Sequence, residues 1–272
     1  MIVVAGCVAQ PHAPVDDGRS PPPQACLDLP TTSERATCLV PYFEQLTVDE
    51  SAGFAVCRAA TLQLDGTIDD CHGLAHVVGA ANYAQSDNAG EALATCGTGC
   101  IEGCLHGVMQ EFVGGLAPEA AAITAEVAPL CDGLDGHLWY ACVHGIGHGL
   151  RFHGLFDLLE ALAICDAAGD AQWANVCAGG VYMEQVSGSL AGGLDSLGLL
   201  LPQICADLQG DPRQEHCIEA VGEGLMFATA HDLPASLDMC LRLAAADAIA
   251  WCQHGAEVEA EVNADVPPDA GC

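Results

Sequence analysis

Cysteines recur along this chain with a period that few folds can satisfy. They fall in the pairs Cys26/Cys38, Cys57/Cys71, Cys96/Cys104, Cys131/Cys142, Cys165/Cys177, Cys205/Cys217 and Cys240/Cys252, with separations of 12, 14, 8, 11, 12, 12 and 12 residues. Successive second members stand 33, 33, 38, 35, 40 and 35 residues apart. A period near 35 belongs to helical hairpins stacked along one direction, each burying its apolar face against the next. Cys100 and Cys272 stand outside the pattern and are expected to pair with each other.

Each unit repeats one plan. Leu158-Leu159-Glu160-Ala161-Leu162-Ala163-Ile164-Cys165 carries apolar residues at helical spacing and ends on a cysteine. A Gly- and Asp-bearing turn follows, and Cys177 opens a second helix through Val181, Met183 and Val186. Alternating β-branched runs are scarce, so strands are not expected. The expected fold is all-α: about seven disulfide-stapled helical hairpins in an open superhelix or a closed α/α toroid. A bridge closing a loop of about 12 residues contributes roughly 3 kcal/mol by restricting the unfolded chain. The staples offset the helix-weakening effect of 31 glycines.

Seventeen cysteines in 272 residues point to an oxidising compartment. The net charge of −31, from 37 acidic and 6 basic residues, repels phosphate backbones and excludes nucleic acid as a partner. Apolar runs such as Leu197–Leu201 are too short to span a bilayer. Residues 8–25, with Pro21-Pro22-Pro23, form a Pro/Asp-rich tether, residues 26–262 the repeat domain, and residues 263–272 a loose tail. Val4-Ala5-Gly6-Cys7 resembles a bacterial lipobox. That resemblance makes residues 1–7 the remnant of a signal peptide and Cys7 the lipidated residue. It also implies a membrane-anchored protein facing the periplasm or the exterior. In period and in one bridge per unit the body is loosely similar to Sel1-like repeat proteins, and to other bacterial Cys/His-rich helical repeats.

The histidines gather just after the second cysteine of the units: Cys71-His72-Gly73-Leu74-Ala75-His76, Cys104-Leu105-His106-Gly107, Cys142-Val143-His144-Gly145-Ile146-Gly147-His148 and Cys252-Gln253-His254-Gly255. His72/His76 and His144/His148 are four apart, so each pair projects from one helix face and can chelate one ion. The glycine after the histidine allows another backbone to approach. In the unit opened by Cys217, Glu219 and Glu223 take the two histidine places. The expected metal ligands are His72, His76, His106, His144, His148, Glu111 and Glu184, with His153 a further candidate. Imidazole and carboxylate without free thiolate suit Zn, Cu or Fe. His12, His137, His216 and His231 read as surface residues, and His254 as part of a capping repeat.

Familiar catalytic motifs are missing. His144-x-x-x-His148 has the spacing of zinc proteases, but Gly145 stands where their glutamate would be. Cys96-x3-Cys100-x3-Cys104 could be a thiolate metal face, although bridges are the better reading outside the cytosol. Two functions follow. The first is an exported lipoprotein with a His/Glu metal centre, either a metal carrier or a metal-dependent oxidoreductase or hydrolase whose catalytic residues are unknown. The alternative is a non-catalytic helical scaffold holding a protein or peptide partner along its concave face.

Overall fold

The computed structural model describes residues 21–66, 71–97, 99–116, 119–134, 136–190, 200–229 and 231–265. Among them every regular element is helical. In chain order these are α1 (Gln24–Leu27), α2 (Thr32–Asp49), α3 (Ala52–Leu64), α4 (His72–Ser86), α5 (Ala89–Thr95), α6 (Gly103–Gly114) and α7 (Ala120–Val127). There follow α8 (Gly136–Phe152), α9 (Leu158–Ala168), α10 (Ala171–Leu190), α11 (200–204), α12 (Gln214–Ala228), α13 (Leu233–Cys240) and α14 (Ala246–Asp265). Cys7, the lipobox and Cys272 lie outside the described residues. The last helix runs three residues past the expected end of the repeat domain.

The helices start where local chemistry says they should. Thr31 with Glu34 and Asp157 with Glu160 form reciprocal capping boxes, and Ser51, Asn88 and Asp232 accept a bond from a first-turn amide. The units are hairpins of a shorter outer helix and a longer inner one. The inner helices α2, α4, α6, α8, α10, α12 and α14 pack side by side in one row. Two large apolar clusters fill the space between the layers, one from Cys26 to Cys104 and one from Met109 to Cys252.

Glycine sets how close the inner helices come. A Cβ on Gly79 of α4 would lie 2.1 Å from the Cys104 carbonyl oxygen of α6, and one on Gly107 of α6 would lie 2.0 Å from that of His76. The same reciprocal pairing joins Gly147 of α8 to Gly180 of α10, and Gly222 of α12 to Gly255 of α14. Backbone therefore rests on backbone, and side chains flanking each glycine are brought together across the interface.

Six staples fall as the spacing predicts: Cys26–Cys38, Cys96–Cys104, Cys131–Cys142, Cys165–Cys177, Cys205–Cys217 and Cys240–Cys252. The second unit corrects the expectation. Cys71 bonds Cys100, not Cys57, and Cys100 is thereby unavailable to Cys272; Cys57 is disulfide-bonded elsewhere. The cause is the turn Cys100-Ile101-Glu102, whose φ angles of 56°, 52° and 59° carry Cys100 back over the start of α4, with a Cα–Cα distance of 5.4 Å. This bridge crosses from one unit to the next, directly beside His72.

Candidate metal centre

Five imidazoles from three units meet on the inner side of the row. Ring centroids lie 4.5 Å apart for His72 and His76, 5.2 Å for His72 and His106, and 5.5 Å for His76 and His106. The group continues through His106 to His144 and His148, 5.2 Å each, and from His76 to His148, 5.6 Å. His106, His144 and His148 are 6, 5 and 3% exposed, which is unusual for residues that ordinarily keep a polar tip in water. The row is strongly bent here: Phe227 of α12 lies 5.8 Å from His72 of α4.

The hydrogen bonds decide which nitrogens carry protons. His72 Nδ1 is 3.0 Å from the Cys100 carbonyl oxygen, and His76 Nδ1 is 3.0 Å from Gln110 Oε1. Both acceptors can only accept, so each Nδ1 donates and, in the neutral ring, Nε2 carries no proton. The two Nε2 atoms then face each other at 2.9 Å. Ligands held at 2.0–2.1 Å from one ion are separated by about 2.9 Å at a right angle and about 3.4 Å in a tetrahedron. One nitrogen of His106 joins them: donor atoms from His72, His76 and His106 all fall within 4.8 Å of one another. His148 Nδ1 donates to Glu184 Oε2 at 3.0 Å, and Gln110 Nε2 reaches the same oxygen at 3.5 Å. Glu184 thus fixes His148 directly and His76 through Gln110, the outer-shell arrangement that orients metal-binding imidazoles.

Burial favours the neutral form of three of these rings. It pushes His76, His106 and His144 well below the usual imidazole range, and neighbouring rings act in the same direction: His72 and His148 on His76, His148 and His144 on His106, His148 and His72 on His144. A neutral imidazole is the form that binds metal. Both nitrogens of His106 and Nε2 of His148 are buried without any hydrogen-bond partner. Buried polar atoms left in this way call for an ion or an ordered water.

The sequence-predicted ligands divide. His72, His76, His106, His144 and His148 converge, and Glu184 supports them from α10. Glu111 does not join: its Oε1 lies 3.7 Å from His153 Nε2, and the His153 ring packs on Gly114 at the outer end of α6. Both residues sit about a third exposed, at 38 and 32%. Two participants escaped the sequence reading. Gln110 and Met183 stand six residues after Cys104 and Cys177, the offset that His148 has from Cys142. Met183 Sδ lies 3.2 Å from His144 Nε2. Their position in the repeat was a usable signal; their residue type hid it.

Tyr140 stacks on His144, centroids 5.5 Å apart. Tyr140 is half exposed, and desolvation of its packed side raises the phenol, with the carboxylates of Glu223, Glu259 and Glu102 raising it further. Acidic groups therefore stand on the approach to the imidazoles, where they favour cations. The chemistry of the site is that of neutral nitrogen donors with a carboxylate outer shell. No protein-family model, curated protein or solved structure matches this chain.

Proposed function

We propose that this chain is an exported metal-binding protein whose ion sits on His72, His76 and His106, with Glu184 and Gln110 holding the ligands in register. The observation that carries the reading is the pair of Nε2 atoms facing each other at 2.9 Å while both Nδ1 atoms are committed to oxygen acceptors. A shared proton would place a cation in a buried group of five rings, against both desolvation and mutual repulsion. A divalent ion shared among several nitrogens meets each lone pair and offsets that penalty. Disulfides in every unit support export to an oxidising compartment, and the lipobox-like Val4-Ala5-Gly6-Cys7 supports a lipid anchor there.

Three nitrogen ligands leave a coordination position for an outside molecule, and an ion so held supplies Lewis-acid or redox chemistry. A partner-binding scaffold gives no reason for imidazoles from three units to converge, or for ring nitrogens of His106 and His148 to be buried there without a hydrogen-bond partner. Elemental analysis of protein made with intact disulfides and supplied with Zn, Cu or Fe tests the reading. Stoichiometric metal is expected, and Ala at both His72 and His76 removes the ion bound there. Trace metal in the parent protein, or an unchanged content in the double variant, overturns it.

A further inference from the structure

The second histidine pair has a partner that the first lacks. His144 and His148 lie one turn apart on α8, ring centroids 5.0 Å from each other. From α10, Met183 brings Sδ to 3.2 Å from His144 Nε2. A thioether sulfur only accepts, and weakly, so with the proton on Nε2 this is a weak N–H···S bond, and with the proton on Nδ1 two lone pairs face each other. An ion about 2.0 Å from a nitrogen and about 2.3 Å from a sulfur would hold the two roughly 3.0–3.5 Å apart. The second nitrogen donor is prepared as well. Glu184 accepts a hydrogen bond from Nδ1 of His148, and the remaining Nε2 is buried with no partner.

We propose that His144, His148 and Met183 form a second metal site, distinct from that of His72, His76 and His106, and that its ion is copper in the Cu(I) state. The donor set makes the choice: two imidazoles and a soft thioether, with the Glu184 carboxylate spent on hydrogen bonds, select Cu(I) over Zn or Fe. His106, with ring centroids 5.2 Å from His72 and from His148, stands between the two sites. The concave face thus holds a pair of ions, the first on nitrogen alone and the second on nitrogen and sulfur. This inference adds a site to the one proposed above and names its metal.

The test is anaerobic titration of the full disulfide-bonded chain with ascorbate-reduced copper against a chromophoric Cu(I) chelator, together with X-ray absorption at the copper edge on selenomethionine-labelled protein. Two Cu(I) per chain and a copper–selenium scattering path are expected. Met183→Leu, close in volume, lowers the stoichiometry to one and abolishes that path. Ala at both His72 and His76 also leaves one ion, but keeps the copper–selenium path. One ion per chain with no selenium neighbour overturns the second site and leaves the first standing. No bound copper, zinc or iron overturns both.

Discussion

Helices α8 and α12 occupy equivalent places in the row, yet they carry opposite chemistry. His144 and His148 stand two and six residues after Cys142; Glu219 and Glu223 stand two and six residues after Cys217. Burial drives His144 to its neutral form, with one ring nitrogen left as a lone-pair donor. It drives Glu223 to its neutral, protonated form, raising the carboxyl to about 7, with Glu259 and Glu219 adding to the effect. The same burial therefore exposes a lone pair on one helix and covers a charge on the other. The row is one framework with an imidazole half at α4, α6 and α8, proposed above to bind metal, and a proton-holding half at α12 and α14. Glu219 and Glu223 line a cleft of about 220 Å³ with Tyr182 and Arg213, so the second half keeps its own opening.

The largest effect that could break this division is stabilisation by metal. An ion present at about a thousand times its dissociation constant adds roughly 4 kcal/mol to the folded state. Amide hydrogen exchange should show that gain as protection in α4, α6 and α8, with α12 and α14 little changed. Equal protection along the whole row would mean that the halves are not chemically distinct.

Next in size is a test of what the halves share. Ala at Gly147 places a Cβ 2.0 Å from the Cys177 carbonyl oxygen; Ala at Gly222 places one 1.9 Å from that of Cys252. Neither backbone can withdraw without separating two inner helices, so each substitution costs about 3 kcal/mol, near the upper end of overpacking effects. Urea denaturation with the disulfides intact measures both. The metal affinity should fall for Gly147→Ala and hold for Gly222→Ala. A tolerated Gly222→Ala would show that the acidic half packs by other means.

How far the sequence disclosed this follows from where the information lies. The repeat and six staples were legible because cysteine spacing reports covalent geometry directly. That His72 and His76, and likewise His144 and His148, share one helix face was legible because four residues make about one turn; that the two pairs meet is decided by the packing of neighbouring units. Cys71–Cys100 was not legible, since it depends on a three-residue left-handed turn that no spacing rule announces. Glu111 was misplaced by its resemblance in position to Glu184. One carboxylate is drawn in by His148 and Gln110, the other outward by His153, and only the packing of neighbouring units decides between them.

A smaller effect sharpens the contrast through pH. Glu223 titrates near 4.5 in the unfolded chain and about 7 in the folded one. The native state holds the extra proton between those values, so stability falls as pH rises from 4.5 to 7, and the loss is complete above 7. Glu223→Gln should stabilise the protein by about 2 kcal/mol at pH 8 and by nothing measurable at pH 4. The buried imidazoles run the other way. His76, His106 and His144 are lowered from 6.5, so the unfolded chain takes up protons first; stability is full above 6.5 and declines as pH falls below it. Chelated protein, unfolded in urea across this range, should show a stability maximum that Glu223→Gln broadens on the alkaline side only. An unchanged profile in that variant would remove the acidic half of the comparison.

The smallest effect separates two ion pairs of equal length. His148–Glu184 and His216–Glu219 both measure 3.0 Å, but the first pair is 4 and 15% exposed and the second 63 and 22%. Water and salt screen the outer pair, and each side chain gives up freedom to make it. His216→Ala should therefore cost under about 0.5 kcal/mol, a cost that added salt erases. The inner pair also fixes a tautomer and shares its carboxylate with Gln110, so replacing Glu184 by Ala should weaken metal binding as well as stability, and salt should not restore either. If His216→Ala altered metal content, the acidic cleft would have to be coupled to the imidazoles, and the boundary drawn between α10 and α12 would lie in the wrong place.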